Sequence, residues 1–253
     1  MSDLTEAVLD DGRAVVVKRG TGPRATAAEV AGLRWLAAAG AVPVPEVHSH
    51  DDERLVIDRV PAGRPDAAAA ERFGRGLARL HAAGAPAFGA APPGGPGDAW
   101  IGLAPMANVP GEDWPSWYAA HRVLPYVRQA VDAGLLEAAP FERACSRFAA
   151  PDEPPARLHG DLWNGNVLWD GRDAWLIDPA AHGGHRETDL AMLHLFGCPH
   201  LDRIVAAYDE TAPLADGRRD RIGMHQLFPL LVHTVLFGQS YAAQALAAAR
   251  SLG

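Results

Sequence analysis

Alternating apolar and polar positions mark the first part of the chain as a small β-rich unit. The segments "LTEAVL" and "RAVVVK" flank "DDG", a pattern typical of a hairpin whose turn gives Gly12 a positive φ. Residues 24–40 carry alanine and leucine at helical spacing, and this helix is expected to end at Gly40. "VPVPEVHSH" and "RLVIDRV" predict two short strands before Pro61 breaks the pattern. We therefore predict a small lobe over residues 1–60.

The remainder of the chain, residues 61–253, mostly follows the 3.6-residue period of helices. Within 156–178 the pattern changes to two short strands, "VLWD" and "AWLID", joined by the turn "DGRD", and it returns to helices after Thr188. "LFPLLVHTVLFG" is interrupted by a proline and a histidine and is too short to span a membrane, so it predicts a buried helix. The pattern as a whole predicts an α+β fold of two lobes, the larger of them mostly helical.

Composition narrows the classes of protein to which the chain can belong. With 253 residues, 48% of them hydrophobic, it can bury a sizeable core. A formal net charge of -8 argues against nucleic acid as a partner. The acidic start "MSDLTEAVLDDGR" lacks a secretory apolar segment, and no apolar run approaches the roughly 20 residues that cross a bilayer. We expect a cytoplasmic protein that binds neither membrane nor nucleic acid, with Cys145 and Cys198 as reduced thiols.

The stretch "RLHGDLWNGNVLWD" carries the densest set of candidate catalytic groups. Asp161 and Asn166 stand in the D-x-x-x-x-N relation of a kinase catalytic loop, in which the aspartate accepts the proton of the attacking hydroxyl and the asparagine holds Mg²⁺. Asp178 follows 17 residues after Asp161, at the end of "WLID", where a second carboxylate would chelate the metal that bridges the phosphates. The spacing predicts ATP and Mg²⁺ as cofactors, with Asp161 as the base and Asn166 and Asp178 as metal ligands.

Lys18 is the only lysine among the 23 basic residues. It ends "VVVK", which is close to the V-A-I-K strand whose lysine holds the α- and β-phosphates, and Glu29 on the following helix can pair with it. Where arginine serves everywhere else, a single lysine suits a place that needs a compact ammonium group. We assign Lys18 and Glu29 to the nucleotide site, together with Asp58 and Val60 at the end of "RLVIDRV".

These segments resemble the fructosamine kinase (ketosamine-3-kinase) family, within the larger group of aminoglycoside-phosphotransferase-like kinases. The HGDxxxxN and DP pair resembles the larger group. The narrower likeness lies in Trp163 and in the segments "GHRETDLAM", "WIGLAPMAN", "DWPSWYAAHRVLP" and "QLFPLLVHTVLFGQSY". The resemblance runs from about Lys18 to the end of the chain, and it implies a two-lobed protein-kinase-like fold.

The resemblance also implies an activity. Members phosphorylate the 3-hydroxyl of ketosamines, the sugar adducts of amines, and the substrate can be a small molecule or a glycated protein side chain. The product phosphate then eliminates and frees the amine, so the implied function is deglycation repair. Asp189 in "ETDLA" would anchor the catalytic loop. We expect His159 to hold the loop through hydrogen bonds, and Trp163 and His182 to contact the substrate.

Two features depart from the family's pattern. Members place a glycine-containing loop about twenty residues before the lysine, whereas here 17 residues precede Lys18 and Gly12 is the only glycine among them. Either the start lies further upstream or other groups cover the phosphates. The residues "AHG" that follow "DPA", and Met106 where glutamine is common, indicate a substrate pocket that accepts something different.

Several alternatives bear on the function. One is a kinase for an aminoglycoside, choline or an amino alcohol; another is a module without the phosphate lid that binds nucleotide weakly and does not catalyse. A Walker-type NTPase would need Gly-Lys-Ser/Thr, and a serine hydrolase would need G-x-S-x-G; the chain has neither. A zinc site drawn from His182, His185, His194 and His200 matches none of the known ligand spacings, so zinc is not favoured.

Overall fold

A four-stranded antiparallel sheet and one helix form the small lobe. The structure is a computed structural model, and it describes residues 3–19 and 23–252. In chain order the lobe contains β1 (Asp3–Val8), β2 (Ala14–Arg19), α1 (Pro23–Ala37), β3 (Val47–His50) and β4 (Arg54–Asp58). The strands lie in the order β1-β2-β4-β3.

The predicted hairpin is confirmed. β1 pairs with β2 so that Leu4 lies opposite Lys18 and Val8 lies opposite Ala14. Gly12 in the connecting turn has φ +87°, a backbone conformation that side chains other than glycine rarely adopt. The turn therefore lies at the end of the hairpin that is distant from Lys18.

The two faces of the sheet bury different side chains because successive residues of a strand point in opposite directions. On one face Leu55 and Ile57 pack against Val30 and Leu33 of α1. On the other face Val15, Val17 and Val56 form a smaller cluster. The packing of α1 against the sheet gives this helix a defined position relative to β2.

The larger part of the chain is mainly helical, with short hairpins between the helices. Its elements are α2 (Ala67–Ala82), β5 (Asp98–Ile101), β6 (Ala104–Ala107), α3 (Trp114–Tyr118), α4 (Leu124–Asp132), α5 (Ala138–Cys145), β7 (Ala156–Leu158), β8 (Val167–Trp169), β9 (Ala174–Leu176), β10 (His182–Gly184), α6 (Glu187–Phe196), α7 (Leu201–Thr211), α8 (Arg218–Phe237) and α9 (Gln239–Ser251). A π-helical turn, Ala119–Val123, joins α3 to α4, and a 3-10 turn, Asn164–Asn166, precedes β8.

Two strand pairs were not expected from the sequence pattern. The segment "WIGLAPMAN" belongs to the hairpin β5–β6, in which Trp100 lies opposite Pro105. β10 pairs with β7, and His182 lies opposite Leu158. β10 consists of His-Gly-Gly, which has no β-branched residue, so its strand conformation comes from the partner strand.

Contacts across the lobes determine where the small lobe lies. The backbone N–H of Leu176 donates to the carbonyl of Pro43 at 3.0 Å. Arg157 donates to the carbonyl of Trp35, at the buried side of α1, at 2.8 Å. Gly32 of α1 approaches Pro179 so closely that an added Cβ would lie 3.1 Å from the proline ring. The helix that carries Glu29 therefore rests directly on the segment that follows Asp178.

The mixed, two-lobed architecture confirms the predicted fold class. Trp35 and Leu36 of α1 share a core cluster with Phe73 and Leu77 of α2, so the predicted division at residue 60 stays a prediction. Across 3–19 and 23–252, every helix is too short or too polar to traverse a bilayer.

Candidate active site

Lys18 lies between two carboxylates that come from different parts of the chain. Its Nζ atom is 2.9 Å from Glu29 on α1 and 3.0 Å from Oδ1 of Asp178, which follows β9. Lys18 is only 9% exposed. Burial alone would lower the pKa of Lys18, but the negative charges of Glu29 and Asp178 outweigh burial and raise it. The ammonium group therefore stays charged at neutral pH.

The catalytic loop between β7 and β8 brings Asp161 and Asn166 together. The side-chain amide of Asn166 donates to the carboxylate of Asp161 at 2.9 Å and to its backbone carbonyl at 2.8 Å. Because the amide nitrogen is used in this way, the carboxamide oxygen is the atom that Asn166 can offer to a cation. The backbone carbonyl of Asn166 accepts from the N–H of Ile177 at 3.1 Å, which places the loop beside Asp178.

Burial makes the side chain of Asp161 a weaker acid than an exposed aspartate. Desolvation is the main reason why its pKa is raised to about 7, and the nearby charges of Asp178 and Asp189 act in the same direction. A base is most effective when its pKa lies near the operating pH. Asp161 is thus suited to accept a proton from a hydroxyl at neutral pH.

The side chain of Asp189, in the first turn of α6, holds the backbone of the catalytic loop. Its two carboxylate oxygens accept from the N–H groups of His159 at 2.8 Å and Gly160 at 3.0 Å. The ring of His159 donates from Nε2 to the carbonyl of Ile177 at 2.9 Å, and its Nδ1 accepts from the N–H of Asp161 at 3.3 Å. Both residues are hydrogen-bonded to the backbone of this region, and their predicted role in supporting catalysis stays a prediction.

Gly160 is required by this arrangement. It has φ +82°, and a Cβ at this position would collide with the carbonyl oxygen of Ala180. The absence of a side chain at Gly160 allows the loop to contact the segment that follows Asp178.

His81 on α2 was not expected from the sequence. Its Nε2 lies 3.2 Å from the carboxylate of Asp189, and its Nδ1 lies 2.8 Å from the hydroxyl of Tyr208. Burial alone would raise the pKa of Asp189, but the hydrogen bond and charge of His81 outweigh it and lower the pKa. His81 is 108 positions from Asp189. No local sequence signal indicates the role of His81. Its tertiary contact with Asp189 identifies it as a residue that positions the loop.

Trp163 forms one edge of an aromatic surface beside Asp161. It is 38% exposed, and its ring meets Phe196 edge-on with the ring centres 5.9 Å apart. The surface continues to His233, 5.1 Å from Phe196, and to Tyr241, 4.9 Å from His233. Trp163 and Phe196 are exposed and His233 and Tyr241 are partly buried, and such contiguous rings next to a catalytic loop can bind an apolar or sugar surface. Of these four rings, the sequence pattern indicates only Trp163 as a substrate contact.

His182 lies beneath the catalytic loop. It is buried, and its Nδ1 donates to the carbonyl of Ala180 at 2.8 Å. Burial and the charge of Arg122 lower its pKa to about 3, so the ring is neutral. This position supports the loop, and a contact between His182 and a substrate stays a prediction.

Asp58 and Val60 lie at the end of β4. The carboxylate of Asp58 accepts from the N–H of Glu46 at 3.0 Å and lies 2.7 Å from Nε2 of His48. Its side chain is thus engaged within the small lobe. The predicted nucleotide-binding role of Asp58 and Val60 stays a prediction.

The donor set suits a magnesium ion. Asp178 offers carboxylate oxygens from a side chain that is 44% exposed, and Asn166 offers a carboxamide oxygen. Mg²⁺ prefers oxygen ligands, usually one or two carboxylates together with substrate phosphates and water. These residues therefore fit the ion that the spacing of the motifs predicts, and their role as its ligands stays a prediction.

The comparison with known families agrees with this geometry. The family model described as fructosamine kinase matches residues 8–252. The chain belongs to the fructosamine kinase family. A "probable ketoamine kinase" of Thermus thermophilus is 34% identical over 214 residues, which are 85% of this chain and 77% of that protein. The "probable ketoamine kinase YniA" of Escherichia coli K12 is 32% identical over 219 residues, covering 83% of this chain and 74% of its own length.

Solved structures show the same relationship. A crystal structure named "putative fructosamine-3-kinase", from Thermobifida fusca, superposes with a TM-score of 0.92 at 47% identity and covers 99% of this chain and 89% of its own. A macrolide 2'-phosphotransferase from Brachybacterium faecium has a TM-score of 0.61 at 17% identity, covering 98% of this chain and 91% of its own. The second likeness shows a shared fold, and membership of the family supports a small-molecule phosphotransferase.

Proposed function

We propose that this protein transfers the γ-phosphoryl group of ATP to the 3-hydroxyl of ketosamines. The observation that carries the proposal is the continuous path of contacts from Glu29 through Lys18 and Asp178 to the catalytic loop. It brings one ammonium group, two carboxylates and a carboxamide to one place. Phosphoryl transfer needs this set to neutralise charge, to position the nucleophile and to accept its proton.

Lys18 and Asp178 would prepare the nucleotide. Lys18 now donates to Asp178 at 3.0 Å, and a bound triphosphate would take over one of the donors of the ammonium group. Asp178 and Asn166 would hold Mg²⁺, which supplies positive charge to the phosphate oxygens when it is bound. Glu29 keeps Lys18 directed toward the site, because this ion pair does not involve the residues that hold the metal.

Asp161 would act on the acceptor. The oxygen of the hydroxyl forms a bond to the γ-phosphorus, and the bond from that phosphorus to the β,γ-bridging oxygen breaks. The electron pair of the broken bond leaves with ADP, and the hydroxyl proton moves to a carboxylate oxygen of Asp161. A raised pKa of about 7 favours this acceptance because the proton is held after transfer.

The substrate class can be tested with a panel of acceptors. Purified protein, ATP and Mg²⁺ are incubated with fructosamine and ribulosamine adducts of amino acids, and phosphorus NMR detects new sugar phosphates. Aminoglycosides and choline are included as competing acceptors. A ketosamine that lacks the 3-hydroxyl is the matched control, Asp161→Asn gives the rate without the proposed base, and a reaction without protein gives the uncatalysed background.

The expected result is a new phosphate ester with the ketosamines and none with the 3-deoxy control. Phosphorylation of only the aminoglycosides or choline would move the substrate class to another branch of the same fold. Equal phosphorylation of the 3-deoxy compound would contradict the assigned hydroxyl. ADP formation with none of these acceptors would contradict the proposed substrate class while leaving the phosphotransferase centre in place.

A further inference from the structure

A second cluster of polar side chains lies on the side of α6 away from the catalytic loop. It contains His185, which precedes the helix, Glu187 in its first turn, and His225 on α8. Their exposed fractions are only 1%, 2% and 1%. One ligand atom from each residue lies within 4.8 Å of the other two. Neither the proposed reaction nor the support of the catalytic loop uses these groups.

Each histidine has a ring nitrogen without a well-aligned hydrogen bond. Nε2 of His185 and Nε2 of His225 are buried in this way among the residues that the structure describes, and each faces a carboxylate oxygen, of Glu153 at 3.7 Å and of Glu187 at 3.4 Å. The Trp114 ring covers both imidazoles, with ring centres 5.0 and 4.7 Å away. A buried polar nitrogen without a well-formed hydrogen bond is destabilising, so a common partner for these two nitrogens would be favourable.

The spacing of the ligand atoms suits a small tetrahedral metal ion. Nε2 of His225 lies 3.4 Å from Oε2 of Glu187. Bonds of about 2.0–2.1 Å to a tetrahedral Zn²⁺ place two ligand atoms about 3.4 Å apart. Two imidazoles and one carboxylate form a ligand set that zinc accepts. We propose that His185, His225 and Glu187 form a zinc-binding site that links the start of α6 to α8.

Neighbouring groups complete the site. Nδ1 of His225 lies 3.0 Å from the hydroxyl of Thr188, the kind of outer contact that orients a metal-ligating imidazole. A carboxylate oxygen of Glu153 lies 3.7 Å from Nε2 of His185, close enough for a fourth ligand, but both oxygens of Glu153 accept from Arg186 at 2.7 and 2.6 Å. Arg186 therefore competes with a cation for Glu153.

Two further contacts in the metal-free protein oppose the binding of a metal ion. Arg221 donates to the two carboxylate oxygens of Glu187 at 2.8 and 2.5 Å, so it competes with a cation for this ligand. Nδ1 of His185 accepts from the N–H of Glu187 at 3.2 Å, so the neutral ring carries its proton on Nε2. Zinc ligation moves that proton to Nδ1 and ends the N–H contact. Removing Arg221 should therefore strengthen binding, whereas removing a histidine should weaken it.

The test uses Co²⁺ as a spectroscopic substitute for Zn²⁺, with full-length protein from which metals have been removed and without nucleotide. A tetrahedral site gives intense visible absorption, whereas octahedral oxygen ligands such as those of the phosphotransfer centre give weak bands. Wild type is expected to bind one equivalent. His185→Gln and His225→Gln should each weaken binding on the order of tenfold or more, and Arg221→Gln should strengthen it severalfold. Zn²⁺ should displace the cobalt spectrum.

His48→Gln is the matched control because Glu46, His48 and Asp58 form a second cluster of possible ligands, which is less buried. In that cluster Nε2 of His48 already pairs with Asp58 at 2.7 Å. A spectrum that persists in the His185 and His225 variants, or that disappears in His48→Gln, would overturn the proposal. Because the buried variants could fail to fold, anomalous diffraction from zinc-soaked wild-type crystals is the second measurement. A peak between His185, His225 and Glu187 supports the site, and its absence overturns it.

Discussion

The catalytic loop and the outer strand β1 of the small sheet are built in opposite ways. His159 and Gly160 are buried and donate from their backbone N–H groups to the two carboxylate oxygens of Asp189, and His81 contacts the same carboxylate. All six residues of β1 are exposed, and β1 pairs with β2 alone among the described strands. Hydrogen bonds inside the protein hold the loop, whereas β1 is held mostly by pairing along one edge.

The two regions differ in their distance from the predicted catalytic residues. Lys18 is paired with Asp178, and Asn166 is hydrogen-bonded to Asp161, in the protein without a ligand. Over residues 3–19 the hairpin turn that holds Gly12 lies about 13 Å along the strands from Lys18, at about 3.3 Å per residue. That turn does not cover the phosphates of a nucleotide held by Lys18. The groups predicted to transfer the phosphate therefore already lie together, and the turn that holds Gly12 is not near them.

The largest effect is expected for the base of the catalytic loop. Asp161→Asn should lower kcat by about 10²–10⁴, because the acceptor for the hydroxyl proton is lost. The Kd for ATP should change little because Lys18 and Asp178 remain. Quenched assays of ADP formation measure kcat, and calorimetric titration with nucleotide measures Kd. An Asp161→Asn protein with wild-type turnover would remove this residue from the mechanism.

The next effect concerns the support of the loop. Asp189→Asn replaces one acceptor oxygen by an NH₂ group, so one buried N–H of His159 or Gly160 loses its partner. We expect a loss of about 1–3 kcal/mol in the free energy of unfolding, together with a lower kcat and a KM for ATP close to wild type. Asp202→Asn, on the exposed surface of α7, is the matched control. Urea unfolding that shows equal stability for the two variants would contradict the role of Asp189.

The pH dependence should also come from the loop. With a pKa of about 7 for Asp161, kcat/KM should rise about tenfold per pH unit below pH 7 and level off above it, because the unprotonated carboxylate is the base. A profile that is flat from pH 5.5 to 8 would contradict this assignment.

The same shift predicts an effect on stability with a definite sign. The folded-state pKa of Asp161 is above the ordinary value of 3.8, so the folded protein binds this proton more tightly than the unfolded chain. The resulting stabilisation is present below about pH 4 and is lost as the pH rises through about 7. Asp161→Asn should therefore raise Tm relative to wild type at pH 8, and the gain should shrink at pH 5. Thermal unfolding without nucleotide at the two pH values measures it.

The smallest effect is expected in β1. Leu4 is 61% exposed, so Leu4→Thr should change the free energy of unfolding by no more than about 0.5 kcal/mol and leave kcat nearly unchanged. A change comparable to that of Asp189→Asn would show that β1 is held as firmly as the loop. The comparison between the two regions would then fail.

Local patterns were sufficient for the elements whose residues carry their own signal. The hairpin with Gly12, the helix that carries Glu29 and the strands around the catalytic loop follow from periodicity and turn chemistry. The spacing of Asp161, Asn166 and Asp178 indicated a common site because short-range geometry positions these groups. Positions that depend on distant partners could not be predicted in this way.

Three features could not be predicted from local sequence patterns. His81 supports Asp189 only because α2 packs beneath the catalytic loop. The strand conformation of His-Gly-Gly in β10 comes from its pairing with β7. Histidine spacing did not indicate the zinc-binding site that we propose, because His225 reaches it from α8 and Glu187 is a carboxylate. Each of these features arises from packing between elements that are remote in the chain.

The backbone of Asp178 has a consequence for which substitutions this family member can tolerate. Asp178 has φ 51°, a left-handed conformation that glycine and asparagine adopt most easily. Glycine would relieve the backbone but remove the oxygen ligand, and alanine would lose the ligand and keep the strain. Glutamate would carry the charge on a longer side chain, without the local hydrogen bonding that lets aspartate and asparagine adopt this conformation. Of these substitutions, only asparagine fits the backbone conformation and keeps a side-chain oxygen. It is therefore the single conservative replacement for Asp178, and it removes the negative charge.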